Sequence, residues 1–175
     1  MAHHRVYENF VVIDSEIIWM NEEIVNIIAH IQEDDEYIHS NEFKFKTYFL
    51  TMTNKNIYKL AKHCIELMNL NKEYHDLNVE RDIKAIVDLS SDIEYSITMI
   101  DNVKMVNKYA RLDISTNIKR IVDTLQDMSN IAGGICHSDY CYVERRLLTK
   151  ESVYGDSKKE ILIENGETRI IEEDV

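Results

Sequence analysis

Two groups of residues in this chain have types and spacings that could do chemistry. The first lies in "NIAGGICHSDYC", residues 130–141, where Cys136, His137 and Cys141 make a Cys-His-x3-Cys cluster. Thiolate and imidazole are the usual zinc ligands, and four of them close a tetrahedral structural site. His63 and Cys64, adjacent in the chain, are a further candidate pair of these types. Three features weigh against zinc. The spacing is not a recognised ligand pair such as Cys-x2-Cys. Neighbouring side chains on a helix point about 100° apart, so His63 and Cys64 rarely share one ion. Cys64 also falls in an apolar stripe, where a free cysteine behaves as a small core residue. A cysteine nucleophile needs a histidine in hydrogen-bond reach and a lowered thiol pKa. Cys136 and His137 do not supply that as neighbours, although Cys141 and His137 could meet on a turn. The bland alternative is that Gly133 and Gly134 end a helix by taking a left-handed C-cap conformation, and that the residues after them lead into a strand.

The second group is acidic. Asp88 and Asp92 are four apart, Glu94 follows, and Asp123 and Asp127 repeat the same spacing. Two such pairs facing each other would offer hard oxygen ligands to a divalent cation. The Glu-x-x-His signature of di-iron bundles is absent, and carboxylates at this spacing usually form a solvated face. Gly-x-Ser-x-Gly, the Walker A loop and the dinucleotide fingerprint are also absent. Those phosphate-cradling loops need glycine, and the first glycine is Gly133.

These residues must be positioned by helices. The chain has 175 residues, no proline and four glycines, all after position 132. Residues 1–132 therefore lack the two strongest helix breakers. Apolar residues recur at Ile17, Ile18, Ile24, Val25, Ile28 and Ile31, with Asp14 and Ser15 as N-cap candidates. A second segment, capped by Ser40 and Asn41, carries Phe45, Phe49, Met52, Ile57, Leu60, Ala61, Cys64, Leu67 and Met68, with a restart at Thr53–Asn54 or an uninterrupted run. Asn78 caps a third with Val79, Ile83, Ile86, Val87, Ile93, Ile97 and Ile100. The fourth, Ile114, Ile118, Ile121, Leu125, Met128 and either Ile131 or Ala132, keeps the clearest rhythm. The expected fold is mainly α, a bundle of four to five helices with a small C-terminal β-hairpin or sheet. Residues 1–14, with "RVYENFVVI", read as an N-terminal arm or strand, 15–134 as the bundle, and 135–175 as a β appendage with an acidic tail. Asn165-Gly166 is a strong hairpin signal and sets Ile161 opposite Ile170 and Ile163 opposite Thr168.

Two likenesses touch parts of this pattern. "VDLSSDIEYSI", residues 87–97, and "ISTNIKRIVD", residues 114–123, resemble consecutive helices of the PhoU family of phosphate-signalling regulators. That family is built from three-helix bundles, usually two per chain, and binds metals at clustered carboxylates. The resemblance implies such a role for Asp88, Asp92 and Asp123. Lys119 stands where an acidic residue is typical and a second bundle is missing, so the reading is not adopted. In composition, rich in Ile, Asn, Lys, Asp, Glu and Tyr, the chain is similar to small helical proteins of viruses and phages with AT-rich genomes. These include virus-encoded helical inhibitors of cell death, but the motif glycines of that family have no counterpart before Gly133.

Charge and composition narrow the function. Thirty-two acidic residues against 20 Lys and Arg give a net charge of −12. Nucleic-acid binding needs Lys and Arg to neutralise phosphates, and only the cluster Lys44, Lys46, Lys55, Lys59 and Lys62, interleaved with Phe43, Phe45, Tyr48 and Phe49, could serve. An amphipathic helix with lysines on its wet side is the simpler reading. No run approaches about 18 apolar residues, so no membrane span is expected. The N-terminus lacks a signal-peptide pattern. Three cysteines make no disulfide framework and fit a reducing, cytoplasmic setting. A non-enzymatic interaction protein is therefore expected: an adaptor, inhibitor or regulator. It would bind a protein partner with a basic surface or a second copy of itself. Trp19, Phe43 and Phe45, with Tyr48 and Phe49 as further aromatic anchors, and the hairpin's Ile161, Ile163 and Ile170 would make the contacts. The rival expectation is a metal-binding helical protein, with zinc at Cys136, His137 and Cys141 or a divalent cation on the carboxylates.

Overall fold

A computed structural model describes residues 2–70, 75–103, 110–136, 159–164 and 167–172. Four helices dominate: α1 (Ala2–Glu33), α2 (Asn41–Leu70), α3 (Leu77–Asp101) and α4 (Ala110–Cys136), with a short 3-10 helix, Asp35–His39, joining the first two. Each packs on its sequence neighbours, and α1 closes the ring on α4. This is a four-helix bundle. Among the described residues no helix is long and apolar enough to cross a membrane.

One pattern explains why the helices assemble. Buried residues fall alternately four and three apart: Val6, Phe10, Ile13, Ile17, Met20, Ile24, Ile27 and Ile31 on α1, and Phe43, Thr47, Leu50, Asn54, Ile57, Ala61, Cys64 and Met68 on α2. Val79 to Ile100 on α3 and Ile114 to Ile135 on α4 repeat it. A mean spacing of about 3.5 residues keeps one seam facing the partner helices along the whole length, the knobs-into-holes geometry of bundles. Each fully buried aliphatic side chain contributes roughly 1.5–3 kcal/mol of transfer free energy.

The ends are set by short side chains. The Ser40 hydroxyl accepts from the Phe43 N–H at 3.1 Å and donates to the Tyr37 carbonyl at 2.6 Å, capping α2. The Asp34 carboxylate accepts from the Glu36 N–H at 3.0 Å and starts the 3-10 turn. At α3 the cap is Asp76, whose carboxylate accepts from the N–H groups of Asn78 and Val79 at 2.9 and 3.2 Å.

Several boundaries depart from the sequence expectation. Residues 2–14 are neither an arm nor a strand. They are the first turns of α1, because Val6, Phe10 and Ile13 continue the spacing of Ile17 and Met20 and are as deeply buried. Asp14 and Ser15 therefore sit within a helix and cap nothing. Asn78 is the second residue of α3, and its backbone is received by Asp76. Gly133 and Gly134 do not end α4, which runs on to Cys136. Thr53 and Asn54 interrupt nothing, since α2 runs through them.

Beyond α4, backbone segments β1 (Lys159–Glu164) and β2 (Glu167–Glu172) pair antiparallel, with Ile161 opposite Ile170 and Ile163 opposite Thr168.

Candidate docking face on the second helix

Over residues 43–54 the core seam of α2 is less apolar than the face opposite it. It contains Thr47, Thr53 and Asn54, all buried. The opposite face carries Phe45, Tyr48, Phe49 and Met52, spaced by three and four so that they form one patch. Phe45 is 69% exposed, Tyr48 63% and Met52 47%, while Phe49 is half-buried at the patch edge. A helix that packed for stability alone would turn its larger apolar side chains inward. Here Asn54 holds the inward face by its hydrogen bonds to Ser90. Its amide donates to the Ser90 carbonyl at 2.9 Å, and the Ser90 hydroxyl donates to the Asn54 side-chain oxygen at 2.9 Å. That pair joins α2 to α3 and leaves the aromatic stripe outside.

The patch continues onto α1. Lys46 bridges to Glu23 at 3.4 Å, and the Cys64 thiol lies 3.8 Å from the Val6 carbonyl. Those two contacts fix the antiparallel register of α1 and α2, and counting along it sets Trp19 level with the turn that holds Phe49 to Met52. Trp19 is 56% exposed. Toward the end of α2, the same outward face hollows into a shallow groove lined by Tyr58, Lys59, Leu60, Lys62, His63 and Glu66. The Lys62 ammonium lies 5.2 Å from the centroid of the Tyr58 ring, a cation–π contact.

Of the residues singled out from sequence, Trp19 and Phe45 lie on this surface. Phe43 does not. It is buried beneath the start of α2, in edge contact with Tyr37 at 5.8 Å, and holds the corner rather than offering itself to a partner. Tyr37 is stacked on His30 at 4.7 Å and is buried too. Its hydroxyl has no hydrogen-bond partner among the described residues, and burial, with Glu42 and Glu23 nearby, keeps it protonated beyond the ordinary tyrosine range. Ile161, Ile163 and Ile170 lie on β1 and β2. Tyr48 and Phe49, which the sequence also offers as interface aromatics, belong to the patch as well, whereas Met52 reads from sequence as part of the core stripe and is instead exposed. The signal was present: Phe43 lies two heptads before Ile57, whereas Phe45 lies twelve residues before it and falls out of phase.

The chemical candidates fare differently. Cys136 closes α4, and burial, reinforced by Asp14, pushes its thiol up to about 12, the opposite of an activated nucleophile. His137 and Cys141 lie outside the described residues. His63 is exposed while its neighbour Cys64 is in the core, so the two point apart. Asp88 and Asp127 line one open groove between α3 and α4, together with Asn130. Asp92 and Asp123 are exposed. Among the described residues no three His, Cys, Asp or Glu side chains are grouped so as to hold a metal ion.

No protein-family model matches the chain, and neither does any curated protein or solved structure.

Proposed function

We propose that the protein is a non-enzymatic interaction module, an adaptor, inhibitor or regulator, that docks a protein partner in a reducing compartment. One observation carries the reading: α2 has a second apolar face, Phe45, Tyr48, Phe49 and Met52, that the bundle leaves outward. Contiguous exposed apolar patches rimmed by polar residues mark interaction sites. Phe, Tyr, Trp and Met are the residue types over-represented at interface cores. Burying these side chains would each contribute roughly 1.5–3 kcal/mol. The C-terminal β-hairpin, with Ile161, Ile163 and Ile170, is a second element for docking, because a two-stranded hairpin is marginal in water without something to pack on.

The test is affinity purification of the full chain from its native source, beside a Phe45→Ser/Met52→Ser variant with the same thermal midpoint. The reading expects a stoichiometric protein partner that the variant loses. Identical co-purifying proteins with both chains would remove the face from the function.

A further inference from the structure

The net charge of −12 points to a basic partner, but charge is not spread evenly. Helix α2 carries five lysines and two glutamates. The two glutamates, Glu42 and Glu66, lie near its ends. Lys46 is committed to Glu23 and Glu42, at 3.4 and 3.9 Å. Lys44, Lys55 and Lys59 are exposed and make no ion pair with a described residue. On the helical wheel they border the Phe45–Met52 patch on the side away from α1. The apolar stripe thus has a basic margin on an otherwise acidic molecule.

Resting on the docking reading above, we infer that the occupant is an amphipathic helix of a partner protein, apolar along one stripe and acidic along the edge that lies over Lys44, Lys55 and Lys59. The stripe recurs at i, i+3, i+4 and i+7, the spacing by which one helix engages another. A single straight ridge also offers no free backbone for an added strand. A second copy packed antiparallel on this face would set lysine against lysine, and like charges across an interface cost several kcal/mol. An acidic edge converts that margin into attraction and speeds encounter.

The probes are three synthetic peptides of about five helical turns: leucines at i, i+3, i+4 and i+7 with a glutamate edge, the same peptide with lysines for glutamates, and a scramble of the first. Binding to the full chain is read by fluorescence anisotropy at low and high salt. The glutamate peptide should bind at least about tenfold tighter than the lysine peptide, and its affinity should fall at high salt as surface charges are screened. Phe45→Ser/Met52→Ser should abolish binding, and Lys55→Glu/Lys59→Glu should reverse the charge preference. If the lysine peptide binds as well or better, and Phe45→Ser/Met52→Ser still weakens it, docking stands and the acidic occupant is wrong. If no peptide responds to Phe45→Ser/Met52→Ser, both fall. A concentration-dependent dimer dissolved by the same substitutions, or cross-links from position 45 to residues 159–172 of the same chain, would put another occupant on the face and overturn the inference.

Discussion

Asn54 and Ser90 satisfy each other in the middle of the bundle. Both are almost fully buried, and two 2.9 Å hydrogen bonds run between them in opposite directions. They occupy core positions on α2 and α3 where aliphatic residues stand above and below. A buried polar pair of this kind fixes register, because any slide of one helix past the other leaves two buried polar groups unpaired.

That relationship predicts a non-additive mutational cycle. Asn54→Ala, which leaves the Ser90 hydroxyl only the Asn54 carbonyl at 3.3 Å, should cost about 1–3 kcal/mol in urea unfolding, and Ser90→Ala a similar amount. The double variant Asn54→Ala/Ser90→Ala should lose less than the two single losses added together, because neither side chain of the pair is then stranded. Strictly additive losses would mean that the two residues do not act as a pair.

The glycines of α4 give a second prediction, opposite in sign to what their sequence context suggests. A Cβ built on Gly133 or Gly134 meets nothing within 4 Å, and both lie inside the helix. Gly133→Ala and Gly134→Ala should each stabilise the protein by about 0.5–1 kcal/mol, read as a rise in thermal midpoint, by reducing the entropy lost on folding. Were these glycines a left-handed cap, alanine would instead destabilise.

Cys136 supplies a third. With its thiol pushed up to about 12 by burial and Asp14, it should alkylate at neutral pH far more slowly in the native protein than after denaturation, read peptide by peptide in a mass spectrometer. The folded state holds this proton more tightly than the unfolded chain, whose thiol ionises near ~8.5. The thiol's contribution to stability is therefore complete below ~8.5 and is lost as pH rises toward the folded value. Native alkylation at the denatured rate would restore Cys136 as a reactive or ligating thiol.

Much of the bundle is legible in the sequence, and its failures have physical causes. The seams of α3 and α4 are almost entirely Ile, Leu, Met and Val, so the four-three spacing is plain. On α1 the β-branched and aromatic residues of "RVYENFVVI" suggest a strand by propensity, yet Val6, Phe10 and Ile13 stay in phase with Ile17, and tertiary burial overrides local preference. On α2 the eye follows the larger apolar residues, Phe45, Phe49 and Met52, while the core runs through Thr47 and Asn54. Those polar residues are tolerated inside because their hydrogen bonds are met: Thr47 to the Lys44 carbonyl at 2.9 Å, and Asn54 to Ser90. Hydrophobicity alone cannot reveal that. For the same reason the docking face is only partly visible in the sequence: Trp19, Phe45, Tyr48 and Phe49 stand out as aromatics, but so does the buried Phe43, and Met52 falls in with the core stripe.

A photoreactive residue placed at position 45, in the full chain within its native cells, tests the outward face of α2 most directly, with position 119 on the polar face of α4 as control. Efficient cross-linking from position 45 to one protein species, absent from position 119, is the predicted result. Equal and diffuse cross-linking from both positions would contradict it and leave Phe45, Tyr48 and Met52 as surface residues without a partner.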